Sequence, residues 1–559
     1  MINCLATRSG VVRRVVPSFG GSGAPRLGRM ATMLAAMLMA MTVVTPVPGQ
    51  GQGGGVSALG VGMDPGAVPD AVPADTLVIS GIQIPSSIDQ LLGLEGAELR
   101  PLPLDEALEI ALARSREIRD ARLALEEAEG VVTEAWSSVY PRIDFSAGLT
   151  RNISPPVSFL PRAFFEPSAD PGDLVPVSFG LDNAWSSTLS LEQPLFEAQA
   201  FIGVGAAGRF RSLQDEQLRG RIQEVVTRVR TTYYEFLLAE EQARLIQRSL
   251  ERVVESLAET QALQRAGLAS EFDVLRLEVE LANLTPQLRR AANAALRIER
   301  ELLSELDLPE GTRLQPEGAL SRMDLDDPAA NEGSNRRLLE LMGVAVGDAA
   351  SDPRDPALLD HLLNRAAISS STLRQAELDA ELKQAELRAE QADFLPRVSL
   401  FGTYQIQAQQ DGGLDFFGSS RQRGYGRLLG IQVSVPVFTG FQRTARVDQR
   451  QASLRASRLR TEVARDRLRD DLKNVLDEVE EALLRARAQR LAVGQAIRGF
   501  DIAAAEFREG TAGRLQLTDA EVALRESEFN YAEAVFDYLR ARARLDELVG
   551  EIPTLRETT

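Results

Sequence analysis

The chain contains SSVYPRIDFSAG at 137–148 and, 255 positions later, ADFLPRVSLFGT at 392–403. In both, a helical pattern stops at a proline (Pro141, Pro396) and alternation of apolar and polar residues begins at once. Proline cannot continue a helix, and a period of two marks a strand with two unlike faces. In the first copy Ile143, Phe145, Ala147 and Leu149 oppose Asp144, Ser146, Gly148 and Thr150. In the second, Val398, Leu400, Gly402, Tyr404 and Ile406 oppose Ser399, Phe401, Thr403 and Gln405.

Each of these strands is followed by a loop and a second alternating stretch, WSSTLSLEQP (185–194) and LLGIQVSVPVF (428–438), with Pro194 and Pro436 near their ends. Beyond them come two proline-free runs of 68 residues, 198–265 and 441–508. As helices each would reach about 100 Å. Leu218, Ile222, Val225, Val229, Tyr233 and Phe236 recur at spacings of three and four, a coiled-coil-like seam. Each long run then breaks at a glycine, in QRAGLASEFDVL (264–275) and FREGTAGRLQLTD (507–519), and a further amphipathic pattern follows. Gly267 and Gly510 lie 243 positions apart, as do the starts of the long runs, so only the loop between the strands changes length between copies. The chain is a duplicated unit of helix, strand, strand, long helix and helix.

The tips have a local grammar. Gly267 and Gly510 suit the left-handed residue that ends a helix. Ser270 with Asp273 three residues on reads as a capping box, and Gly513 as the N-cap of the last helix. On these features alone each tip could also be a surface helical hairpin without a partner.

Composition narrows the function. The 559 residues carry 62 basic and 80 acidic side chains, a net charge of −18, which speaks against nucleic acid as a partner. One cysteine (Cys4) and one histidine (His361) leave no disulfide framework, no Cys/His metal centre and no Ser–His or Cys–His catalysis. No cofactor, metal or enzymatic activity is expected, and no phosphate loop is present to supply energy. His361 reads as an ordinary residue of a helix's first turns.

Residues 1–49 read as a signal peptide: Arg13, Arg14, Arg26 and Arg29, then the apolar run ATMLAAMLMAMTVV (31–44), then small residues. The same features would also suit an uncleaved N-terminal anchor. Residues 50–100 follow as a flexible leader. The first repeat is expected over 101–310, with strands 143–152 and 185–194. An inter-repeat linker or irregular insertion covers 311–356. The second repeat spans 357–552, with strands 397–407 and 428–437, and 553–559 is a tail. A single helical pattern over 102–140, capped by Asp105, is expected before the first strand.

Four two-faced strands cannot close a barrel within one chain, and an open sheet edge in lipid is very costly. Either several chains share a barrel, with one wet and one lipid face, or the strands form a small soluble layer on the helices.

The order, duplication and spacing of YPRIDFSAG, FLPRVSLFG, QPLF and VPVFTG resemble the TolC-like outer-membrane efflux proteins, over roughly residues 100–552. The resemblance implies a mainly helical fold with a small β part. It implies a homotrimer whose twelve-stranded barrel in outer-membrane lipid continues as a long helical tunnel in the periplasm. It implies partners: a periplasmic adaptor (membrane fusion protein) and, through it, an inner-membrane pump, in tripartite efflux or type I secretion. Gly267, Leu268, Ser270, Gly510, Thr511 and Gly513 would form the adaptor-docking tips. TolC-like mouths carry two carboxylates six and nine residues beyond the second tip glycine. Here those positions are Gln516 and Asp519, with Asp273 as the sixth position in the first repeat. Phe507 stands where the family has a gating tyrosine. Asp519 could also be a solvated helix residue. A periplasmic coiled-coil scaffold or adaptor without a barrel is the other reading of the same helices.

Overall fold

The computed structural model describes residues 77–79, 82–84 and 99–550, apart from 155–156, 171, 179, 310, 327–329, 332, 341–355 and 413–421. The expected signal peptide, most of the leader and the C-terminal tail lie outside the described residues. A short antiparallel pair, β1 (Leu77–Ile79) and β2 (Ile82–Ile84), stands inside the stretch expected to be a flexible leader. Then come β3 (Leu99–Leu102), α1 (Leu104–Arg114) and α2 (Arg116–Ser137). The first repeat continues with β4 (Arg142–Arg151), β5 (Val157–Pro161), β6 (Leu174–Ser178), β7 (Asn183–Phe196), α3 (Ala198–Arg265) and α4 (Glu271–Glu305). Between the repeats lie β8 (Arg313–Pro316) and α5 (Ser334–Glu340). The second repeat holds α6 (Pro356–Ser369), α7 (Ser371–Ala392), β9 (Arg397–Gln410), β10 (Arg423–Ser434), α8 (Gln442–Arg508) and α9 (Arg514–Val549).

The helix expected over 102–140 is two helices. Ser115 leaves the helical region (φ −51°, ψ 128°) and caps α2 by accepting from the Ile118 amide, and Pro103, not Asp105, precedes α1. Ser370 breaks the second repeat in the same place, between α6 and α7, 255 positions later. Serine competes for backbone hydrogen bonds without disturbing the apolar pattern, so periodicity alone runs through both breaks.

The four long strands form one antiparallel sheet in the order β4-β7-β9-β10, with Arg142 opposite Glu192, Asn183 opposite Gln410 and Arg397 opposite Ser434. β10 begins at Arg423 rather than 428, because β9 pairs with the glycine-rich RGYGR stretch, and it ends at Ser434, so Pro436 lies beyond it. Pro194 lies inside β7, and an irregularity in the β7–β9 ladder follows it before Phe196. Pro141 and Pro396 stand immediately before β4 and β9.

Each helix continues its own strand, so helix order repeats strand order. Beneath the sheet, α2 packs on α3, α3 on α7 and α7 on α8. In the far half α4 packs on α3, α3 on α9 and α9 on α8. The middle is the core, where Val229, Tyr233, Leu302, Leu472, Val475, Val535 and Leu539 are buried together. The stretch expected as a linker contributes to it. β8 pairs in parallel with β3, Leu314 and Leu320 are buried, and the Tyr233 hydroxyl donates to Leu102 O (2.8 Å) and accepts from Glu317 N (2.8 Å). Burial raises the pKa of Tyr233 and keeps that hydroxyl a donor.

Candidate functional site

Two regions can carry function: the sheet and the tips opposite it. In the sheet, paired residues share a face. Ile143, Leu191, Gly402 and Leu429 form one row, and Phe145, Leu189, Tyr404 and Arg427 another. Ile143 and Phe145 are 66% and 69% exposed. Rows on the opposite face read Ser146, Thr188, Gln405, Gly426 and Gly148, Ser186, Gln407, Gly424. A mainly apolar face, with Arg427 at its β10 edge, beside a hydroxyl- and amide-rich face is what a wall between lipid and water requires. Among the described residues no helix is long and apolar enough to cross a membrane.

At the tips both glycines are left-handed, with φ +75° at Gly267 and at Gly510. The closing bonds are the same. Leu268 N donates to Leu263 O (2.9 Å) and Gly267 N to Gln264 O (2.9 Å); Thr511 N donates to Glu506 O (3.0 Å) and Gly510 N to Phe507 O (3.1 Å). Both are Schellman turns. Ser270 Oγ accepts from Asp273 N (3.3 Å), and Asp273 accepts from Ser270 N (3.2 Å), so α4 starts on a full capping box. Gly513 is the N-cap of α9 without a side-chain bond. Leu268 is 76% exposed.

Asp519 is exposed near the start of α9, and the Gln516 amide donates to Glu506 Oε2 (2.9 Å). A carboxylate therefore does stand beside position 516, contributed by α8. Sequence reasoning missed Glu506 because its partner lies across the turn. Phe507 packs under Arg514, whose guanidinium carbon is 5.1 Å from the ring centre. Burial lowers the pKa of Arg514, against the pull of Glu521, Glu259 and Asp273. That ties the second tip electrostatically to the first. Arg252 of α3 reaches Glu521 of α9 (2.7 Å) and lies over Phe500 of α8 (5.9 Å), another link no local pattern announces.

The two hairpins differ in packing. Leu250, Val253 and Leu257 of α3 interlock with Val274, Leu277, Leu281, Leu284 and Leu288 of α4. In the last third of the α8–α9 hairpin, beyond Ala486, only Ala503 and Leu524 are buried before Tyr531.

A model of the outer membrane efflux protein family matches residues 107–306 and 362–551, both repeats. The chain belongs to that family. Among curated relatives, the alkaline protease secretion protein AprF of Pseudomonas aeruginosa is 27% identical over 376 residues, covering 66% of this chain and 70% of that one. The outer membrane protein TolC of Vibrio cholerae is 20% identical, covering 75% and 84%. Among solved structures, the CmeC outer membrane channel of Campylobacter jejuni superposes with a TM-score of 0.62 at 13% identity, over 81% and 87% of the chains. As an outer membrane efflux protein the chain is an outer-membrane exit duct that extends into the periplasm. That sets aside the scaffold without a barrel, and the two-faced sheet gives the physical reason.

Proposed function

We propose that three copies close their sheets into a twelve-stranded barrel and that the duct is passive, driven by an inner-membrane pump through a periplasmic adaptor. The observation that carries the reading is the sheet's pair of open edges. β4 and β10 each have one unpaired side, while the face between them is apolar and exposed. Unpaired backbone in lipid costs several kcal/mol per group, so the edges must meet partners. Native mass measurement in detergent should give three chains per particle; a monomer that conducts in planar bilayers would overturn the reading.

The tips are the proposed docking surface, through Gly267, Leu268, Ser270, Gly510, Thr511 and Gly513. The proposed constriction is set by Asp519 with Gln516, Glu506, Asp273 and Phe507 nearby. Opening swings the α8–α9 hairpin outward, because it has the thinner packing, and the Arg252–Glu521 pair holds it to α3 in the closed state. Breaking that pair by Arg252→Ala should raise conductance in planar bilayers; an unchanged closed-state conductance would place the gate elsewhere. The likeness to AprF, which by name serves alkaline protease secretion, favours a protein substrate. Loss of secreted protein from a deletion strain, with unaltered drug sensitivity, would support that class.

A further inference from the structure

The row of helices beneath the sheet ends, like the sheet, in two uncovered elements: α2 on one side and α8 on the other. One stripe of α2, at spacings of three and four, reads Leu123, Glu126, Gly130. One stripe of α8 reads Ala452, Arg455, Leu459. Both point away from the positions these helices bury, Ile118 and Ala128 in α2, Leu454 and Ser457 in α8. Leu123 is 63% exposed and Leu459 60%. Glu129 of α2 pairs with Arg211, and Arg450 and Arg460 of α8 pair with Glu386 and Asp379, all within the row. Among the described residues neither Glu126 nor Arg455 forms an ion pair, and both are exposed.

The internal repeat supplies a template for how these stripes meet. Where repeat one ends and repeat two begins, α3 packs antiparallel on α7: Ser371 Oγ donates to Glu216 O (2.8 Å), Gly220 sits against Ser371 and Gln375, and Arg209 faces Glu381 (3.8 Å). The seam between two copies would join the end of repeat two to the start of repeat one, the same junction in duplicated form. Moving α3 forward by the 243-residue offset gives α8, and moving α7 back by 255 gives α2. Arg209 and Glu381 then become Ala452 and Glu126; Glu216 and Ser371 become Leu459 and Arg116; Gly220 and Gln375 become Val463 and Asp120. These fixed points bracket the register to within about two helical turns, and inside that range Leu123 falls beside Leu459, Glu126 beside Arg455 and Gly130 beside Ala452. A Cβ added at Gly130 meets nothing within 4 Å, so that side of α2 is open to a close helix approach.

We infer that α2 and α8 form the helical seam between copies, antiparallel, with a Glu126–Arg455 ion pair between a Leu123–Leu459 contact and a Gly130–Ala452 close approach. The occupant of each face is the opposite face of a second copy. The apolar pair supplies affinity, and the charge pair, with the glycine, sets the register. The inference rests on the trimeric reading above and adds the register, which strand pairing alone leaves open.

The test uses the full chain with Cys4→Ser. Leu123→Cys and Leu459→Cys are combined and treated with a short thiol-reactive linker in membranes. Covalent dimers and trimers should appear, with none from either single variant. A pair eleven residues out of register, Leu123→Cys with Asp470→Cys, should stay unlinked. Independently, Arg455→Glu should lower the temperature at which the detergent-resistant trimer is lost, and adding Glu126→Arg should restore it. If the wild-type chain is trimeric, equal linking of the 123/470 variant, or no rescue by the charge swap, would overturn the seam and leave the trimer standing. A monomeric wild-type chain would overturn the trimer itself.

Discussion

Gly510 and Gly267 have nothing within 4 Å of a built Cβ, so their requirement for glycine is conformational alone. A left-handed backbone costs an ordinary L-residue roughly 1–2 kcal/mol, and asparagine tolerates it best. Gly510→Ala should therefore destabilise the second tip by about 1–2 kcal/mol and Gly510→Asn by less. Hydrogen exchange of the Thr511 and Gly510 amides, which close the turn, reads the difference directly. Equal effects of the two substitutions would mean that packing, not backbone strain, fixes the residue. The acidic groups at this tip are less symmetrical than spacing suggests. Asp273 is held in its capping box, whereas Asp519 is exposed and the Glu506 carboxylate, among the described residues, accepts only from the Gln516 amide. Asp519→Ala should weaken block of conductance by divalent cations, and Glu506→Gln should deepen the loss. Block that survives both changes would place the cation site away from this tip.

At the scale of elements, the two hairpins share a turn and differ in what stabilises them. Truncating a buried leucine costs about 2–5 kcal/mol, so Leu281→Ala or Leu284→Ala should loosen the α3–α4 tip by that amount. No single leucine in the last third of α8–α9 occupies an equivalent cluster. Native-state hydrogen exchange should accordingly show faster opening in 491–530 than in 246–288; the reverse order would assign mobility to the first hairpin. Where that looser third begins, Arg487 and Arg490 of α8 reach Asp326 (2.6 Å) and Asp324 (2.5 Å) in the inter-repeat segment, which thus anchors the base of the part proposed to move. The repeat, the strands and the tips were legible because each is a local pattern seen twice. These ion pairs were not, since partners more than 150 positions apart leave no periodic trace and the segment around Asp324 lacks one altogether. Nor were the breaks at Ser115 and Ser370, where a cap interrupts the backbone and leaves the apolar spacing intact. The leucine cluster was half visible: its spacing was readable, its absence from the second hairpin was not.

For the molecule as a whole, the duct requires the helical row to stay registered with the sheet, and the two repeats secure that junction differently. Asp393, at the end of α7, accepts from Arg397 at the start of β9 (2.5 Å) and from Arg443 at the start of α8 (2.6 Å). Its counterpart in the first repeat, 255 positions earlier, is Ser138, which bonds only its own helix. Burial alone would raise the Asp393 pKa, but its bonds to Arg443 and Arg397 outweigh it and hold the carboxyl below its ordinary value. A carboxylate whose folded pKa is depressed adds stability that is full above the unfolded pKa and disappears as pH falls through the folded one. The second junction should therefore persist through the pH range in which exposed carboxylates titrate and loosen only below it. Asp393→Asn removes the charge at every pH and should loosen the junction already at neutrality. Hydrogen exchange of Phe394 and Leu395, corrected for intrinsic rates and compared with Val139 and Tyr140, tests this. The wild-type chain should show an acid-dependent opening at 394–395 with no matching step at 139–140. A common transition at both sites would mean that acid acts on the whole sheet, not on the Asp393 staple.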